Sequence, residues 1–235
     1  MTERTVTTTP VRPRATSCDP ATSTTKTLLS YGVLAGPFYV AASLAQALTR
    51  DGFDLARHPW SLLSNGDLGW IQIANFVATG LMTIAFAVGL RRSLRPGHAA
   101  TWAPRLVGAY GLSLVCAGAF VADPANGFPV GTPAGPGAVS WHGMLHFVAG
   151  GVGFGCLIAA CFVLARRFAA EGRRGWAACS RATGVAFAAA FVGIASGSPN
   201  ALVNVAFVGA ILVAWSWVSA VAAHLYGRAR GTANG

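Results

Sequence analysis

Two histidines four residues apart, His142 and His146, carry the spacing closest to a reactive site. On a helix that spacing stacks both imidazoles on one face, a geometry suited to paired metal ligands. Asp123 and His58 are of the right type to complete a set. His58, Asp123, His142 and His146 would offer nitrogen and oxygen donors to a divalent cation, zinc before others, with one position open for water. Asp123, His142 and His146 would then be the catalytic groups of a metal-dependent hydrolase acting on a lipid or amphipathic substrate. The pattern lacks the glutamate of a His-Glu-x-x-His protease, because Gly143 follows His142. The plainer alternative is that both histidines hydrogen-bond to neighbouring helices.

A second set is polar but not reactive. Gln72, Asn75, Thr79 and Thr83 recur at i, i+3, i+7 and i+11, one helical face. Asn200 and Asn204 share another face, and Ser43 and Gln46 lie near the end of the first apolar run. With Ser61, the residues Gln72, Asn75, Asn200 and Asn204 form a candidate substrate-binding group. If the stripe from Gln72 to Thr83 lined a path, the protein would be a transporter of a small solute or a proton.

These residues sit in an unusual chain. Of 235 residues 54% are hydrophobic and 10% charged, whereas a soluble domain carries about 25% charged residues. A helix needs about 20 apolar residues to cross the hydrocarbon core, and six runs qualify: 27–48, 70–90, 106–122, 141–165, 182–197 and 203–225. The expected fold is all-α, an integral membrane bundle of six transmembrane helices over 27–225. A disordered cytoplasmic tail (1–26) and a short cytoplasmic C-terminal tail (226–235) flank it.

The net charge of +10 would suit nucleic acid if the charges formed one surface, but they fall in short clusters between apolar runs. Lys and Arg favour the cytoplasmic side. Six spans with both termini inside put every basic residue on that side except Arg50 and Arg57, out of 17. The implied location is the plasma membrane, the implied surroundings are lipid, and no nucleic-acid partner is expected. Polar groups within spans normally face the bundle interior. The candidate residues therefore gather at the exoplasmic end, where Asp123, at the end of the third helix, opposes the helix dipole. Arg57, His142 and His146 are its candidate partners.

The segment Trp70-Ile-Gln-Ile-Ala-Asn-Phe-Val-Ala-Thr-Gly80 parallels Trp141-His-Gly-Met-Leu-His-Phe-Val-Ala-Gly-Gly151. Three related helical hairpins would explain this, as would shared interfacial chemistry at helix starts. Trp60, Trp70, Trp102 and Trp141 read as an interfacial belt. Ala149, Gly150 and Gly153 read as a small-residue face that lets a neighbouring helix come close. The turn-rich segment 123–131 is either an ordered lid over the outer end or a plain loop.

His58-Pro-Trp-Ser-Leu-Leu-Ser-Asn-Gly66, Gly69-Trp70, Asn75-Phe76, Asp123-Pro124, Gly127-Phe-Pro-Val-Gly131 and Gly143 with His146 resemble the bacterial domain-of-unknown-function 998 family over about 30–225. The resemblance implies a multi-span membrane protein of unassigned activity and supplies no catalytic residues. The sequence thus points to a membrane protein with a polar His/Asp/Asn pocket at its exoplasmic face. Three roles compete for it: a structural or regulatory partner of another membrane protein, the metal-dependent hydrolase, and the transporter. A lipid or small-molecule ligand is compatible with the last two.

Overall fold

The structure is a computed structural model, described here for residues 20–94, 97–198 and 200–231. Six helices follow one another: α1 (Pro20–Thr49), α2 (Gly69–Ser93), α3 (His98–Ala119), α4 (Trp141–Ala170), α5 (Arg174–Ala195) and α6 (Ala201–Gly231). A 3-10 turn, Trp60–Ser64, sits between α1 and α2, and no strand occurs among the described residues. Five helices (α1, α2, α4, α5 and α6) are long and apolar enough to cross a membrane. The protein is a multi-pass membrane protein. α3 is not among the five, since its first turns carry Trp102, Pro104 and Arg105.

The helices outrun the apolar runs at one end of the bundle. α1 begins at Pro20 rather than 27, α3 at His98 rather than 106, α5 at Arg174 rather than 182, and α6 continues to Gly231. Hydropathy marks only the apolar stretch, whereas backbone hydrogen bonding continues through polar turns beyond it. Pro20 is tolerated because the first turn of a helix leaves its N–H groups unpaired. Part of the expected disordered tail is therefore helical, and residues 1–19 and 232–235 lie outside the described residues.

Each helix packs against its neighbours in the chain, and α6 returns to α1, so the six close into a ring. α2 also touches α6 across the middle. The ring is tightest where α2 meets α3. A Cβ built on Gly80 would stand 2.6 Å from the carbonyl oxygen of Gly111, and one on Gly111 would stand 2.8 Å from that of Gly80. Without a hydrophobic drive between helices in lipid, such close van der Waals approach is a main source of association.

Polar side chains join α1 to α2. Gln46 Nε2 donates to Gln72 Oε1 at 2.8 Å. Asn75 Nδ2 reaches the carbonyl of Tyr39 and Ser43 Oγ, both at 3.1 Å. Thr79 Oγ1 donates to Asn75 Oδ1 at 3.2 Å, and Thr83 Oγ1 to the Thr79 carbonyl at 2.8 Å. The predicted stripe on α2 is real and buried, and its occupant is α1.

Gly80→Val is expected to destabilise the detergent-solubilised protein by about 1–3 kcal/mol, the usual cost of overpacking. Gly175→Ala, at a position with open space around it, should leave the midpoint unchanged. Thermal unfolding of the two variants beside wild type checks this.

Candidate functional site

The segments 50–68, 120–140 and 196–198 meet at the end of the ring opposite the extended helix termini. Arg50 organises this end. Its guanidinium donates to the carbonyls of Leu63 and Asn65, both at 2.5 Å, and lies 4.9 Å from the centroid of the Phe128 ring. Burial pulls its pKa below the ordinary arginine value, and the carboxylate of Asp67 acts in the opposite direction. Phe128 is buried and packs edge-on to Phe53, with ring centroids 5.1 Å apart. The segment 123–131 is thus an ordered cap pinned to the first loop.

His58 is the second pin. The Asp54 backbone N–H donates to its Nδ1 at 2.9 Å. That bond leaves Nε2–H as the donor, and it reaches the Asn126 carbonyl at 3.0 Å. Arg57 Nη2 donates to the same carbonyl at 3.2 Å. Asn126 can present its carbonyl this way because it adopts a left-handed conformation, φ 56°, which Asn tolerates better than most residues.

Asp123 finds a partner that is neither Arg57 nor a histidine. The Ser140 N–H donates to its Oδ2 at 2.7 Å, and Ser140 Oγ–H to its Oδ1 at 2.6 Å. Ser140 is the N-cap of α4 and accepts the Gly143 N–H at 3.1 Å. A capping box normally takes its acid from the third helical residue, here Gly143. Asp123 supplies that acid from the preceding loop instead. A Cβ on Gly143 would collide with Asp123 Oδ2, so the glycine after His142 is what lets the carboxylate reach the helix start.

The two histidines part company. His146 is buried, and its Nδ1 donates to the carbonyls of Phe120 (2.8 Å) and Ala117 (3.2 Å), the unpaired end of α3. Its Nε2 is therefore a lone-pair acceptor. His142 is exposed, stacked on Trp141 with ring centroids 4.0 Å apart, and bonded to Ser140 Oγ. The inward face of α4 runs through Gly143, His146 and Gly153, which turns His142 away from it. A Cβ on Gly153 would overlap Ser113 of α3, as a small-residue contact requires, but Gly150 meets only Phe154, at 4.0 Å.

Gly150 instead borders a cavity of about 1010 Å³ that all six helices and the cap enclose. Tyr39, Phe76, Tyr110, Phe154, Phe207 and Trp215 supply much of its apolar wall. Ser61, Asp123, His146, Asn200 and Asn204 are among the residues that line it. Gln72 and Asn75 do not line it, because their amides are spent on α1. His58 and His142 do not line it either. The four-residue zinc set is not assembled: among the described residues no group of three or more His, Cys, Asp and Glu is placed to hold a metal ion. Both nitrogens of His58 are bonded elsewhere, and the carboxylate of Asp123 caps α4.

Sequence reasoning missed Trp60. It is 1% exposed and lines the cavity instead of joining the interfacial belt, while Trp70, Trp102 and Trp141 are exposed as expected. The 3-10 turn folds it inward against Tyr39, with ring centroids 5.8 Å apart. Pro59 immediately before it, which fixes the backbone at the turn, was the available signal.

The model of the family described as "Protein of unknown function (DUF998)" matches residues 33–224. The chain belongs to this family. No curated protein and no solved structure matches it. The match to DUF998 spans the ring and its cap, from α1 into α6, and includes every residue that lines the cavity.

The cap makes a specific forecast for this DUF998 protein. Asp123→Ala should cost about 1 kcal/mol, a typical loss for a helix cap, and Gly143→Glu alone should also destabilise by displacing Asp123. Combined, they rebuild a local capping box, and thermal unfolding should show the double variant recovering part of the Asp123→Ala loss.

Proposed function

We propose that this protein is a six-span protein of the plasma membrane that holds an amphipathic molecule in a chamber opening at its exoplasmic face. The cavity carries this reading. At about 1010 Å³ it lies at the upper end of the range for small-molecule sites, about 300–1,000 Å³, and like them it is mostly apolar with a few polar groups. Its mouth is bordered by exposed lining residues: Pro136, Ala138 and Val139 between the cap and α4, Phe147 at the start of α4, and Ala195, Gly197 and Ser198 at the end of α5. Apolar side chains at that rim suit a ligand that arrives from lipid.

The orientation rests on charge. Arg91, Arg92, Arg166, Arg167, Arg173, Arg174 and Arg228 stand at the end opposite the cavity, where Glu171 pairs with Arg167 (2.7 Å), Arg228 (3.1 Å) and Arg173 (3.7 Å). By the preference of basic residues for the cytoplasm, that end is inside. Both termini then lie in the cytoplasm and α3 crosses with the other five, supported by its packing along both α2 and α4. A pure scaffold for a partner protein has no need of such a chamber. A path along the Gln72–Thr83 stripe is filled by α1.

Two measurements test the proposal. N-phenyl-1-naphthylamine, an apolar fluorophore, should bind the purified protein at one site. Gly150→Trp should weaken that binding, because its indole would project into the cavity that Gly150 borders. Gly155→Trp, on a part of α4 with nothing within 4 Å, should not. Binding left unchanged by Gly150→Trp would sink the reading. In a cysteine-free background, a cysteine at Gly131 should react with a membrane-impermeant maleimide on intact cells, and one at Gly172 only after permeabilisation.

A further inference from the structure

The end of the ring opposite the cavity holds an unbalanced charge cluster. Glu171, in the turn between α4 and α5, is the only acidic residue at that end among the described residues. Three guanidinium groups converge on its carboxylate: Arg167 Nε at 2.7 Å, Arg228 Nη1 at 3.1 Å and Arg173 Nε at 3.7 Å. Arg228 comes from α6, 57 positions along the chain, so the closure of the ring assembles the cluster.

One carboxylate cannot satisfy three arginines. Each guanidinium has five N–H donors, whereas a carboxylate accepts about four bonds. Arg167 Nη1 also reaches the Leu94 carbonyl at 3.3 Å, and Arg173 Nη1 contacts His224 Nε2, but these partners are neutral or cationic. The cluster keeps an excess of two positive charges, and like charges at such range repel one another. A second anion would relieve the repulsion, and there is room for one. The side chains of Arg228 and Arg173 are 49% and 33% exposed, and a Cβ on Gly172 or Gly175 would meet nothing within 4 Å.

The position selects the kind of anion. The apolar run of α4 ends at Ala165, immediately before Arg166 and Arg167, so the cluster lies where hydrocarbon gives way to headgroups. Trp176, half-buried, stacks near His224 with ring centroids 4.7 Å apart, a placement typical of the interface. Deeper in the membrane, Phe162 of α4 lies over Gly184 of α5, and the neighbouring Val185 is exposed. These side chains offer acyl chains an apolar surface beside the cluster.

We infer that this end of the ring binds the phosphate of an anionic phospholipid, received by Arg173 and Arg228, with its acyl chains along α4 and α5. Arginine pairs with phosphate through two parallel hydrogen bonds, and basic pockets between membrane helices take such headgroups. A choline headgroup would bring its own cation against the excess charge. The site is independent of the chamber; in the orientation proposed above it faces the inner leaflet.

The test uses the full chain in dodecyl maltoside and phosphatidylglycerol with a dansyl group on its tail, followed by energy transfer from the tryptophans. Unlabelled phosphatidylglycerol should displace the probe at a concentration about fivefold or more below that of phosphatidylcholine. Arg228→Gln and Arg173→Gln should each weaken probe binding about fivefold, the size of effect one basic residue exerts at an anionic surface. Arg105→Gln, which removes the same charge from a side chain stacked on Trp102, should change it less than twofold. Gly150→Trp should leave it unchanged, which separates this site from the chamber. Arg228 is the more exposed of the two arginines, so Arg228→Gln carries the test if Arg173→Gln fails to fold. Phosphatidylcholine competing as well as phosphatidylglycerol, or Arg105→Gln costing as much as Arg228→Gln, would overturn the inference. Inorganic phosphate displacing the probe better than sodium chloride of the same ionic strength would overturn it too, by showing a site for the free ion.

Discussion

A bilayer offers a buried polar group no water to bond with, and this constraint shapes the whole ring. An amide or hydroxyl on a span is costly unless the protein itself supplies its partner. Gln72 and Asn75 meet it through Gln46, Ser43 and the Tyr39 carbonyl, which locks α1 to α2. Trp217 meets it through Ser180, joining α6 to α5 at 3.0 Å. His146 meets it through the last carbonyls of α3. Gln72, Asn75, His146 and Trp217 are thus fastenings between neighbours in the ring, while Thr79 and Thr83 bond within α2.

The same constraint explains the cap. The end of α3 and the start of α4 both expose unpaired backbone groups near the membrane surface. His146 closes the first and Asp123 with Ser140 closes the second, so two residues selected as reactive act as terminators of one helical hairpin. Arg50, through the Phe128 ring, and His58, through the Asn126 carbonyl, then hold the connecting segment against the first loop. A rigid cap results, and it forms one wall of the cavity.

Packing is unequal around the ring. Between α2 and α3 glycines bring backbones together, whereas around the cavity large aromatic rings hold the helices apart. Phe154 touches Phe187, Phe191 and Phe207 with ring centroids 5.3 to 5.7 Å apart, and Tyr39 and Tyr110 lean on Trp215 from α1 and α3. All of these rings except Phe187 line the cavity beside the cap. A tight side and a spacious side within one ring are what allow a stable bundle to keep a large interior space.

Much of this was legible in the residues alone. Apolar runs mark the helices, because insertion into lipid responds to hydropathy along the chain. The inward face of α2 was readable from the spacing of Gln72, Asn75, Thr79 and Thr83, since helical periodicity fixes neighbours on one helix. Contacts between helices were not readable, because spacing along a chain carries no information about which face meets which neighbour. Tertiary structure alone decided that Gln72 and Asn75 bond to α1, that Asp123 caps α4 through the space Gly143 leaves, and that His142 turns outward while His146 turns in. It alone brought Trp60 and Asn204, 144 positions apart in the chain, to the wall of one cavity, because only the closure of α6 onto α1 places the loop before Trp60 within hydrogen-bonding reach of Asn204.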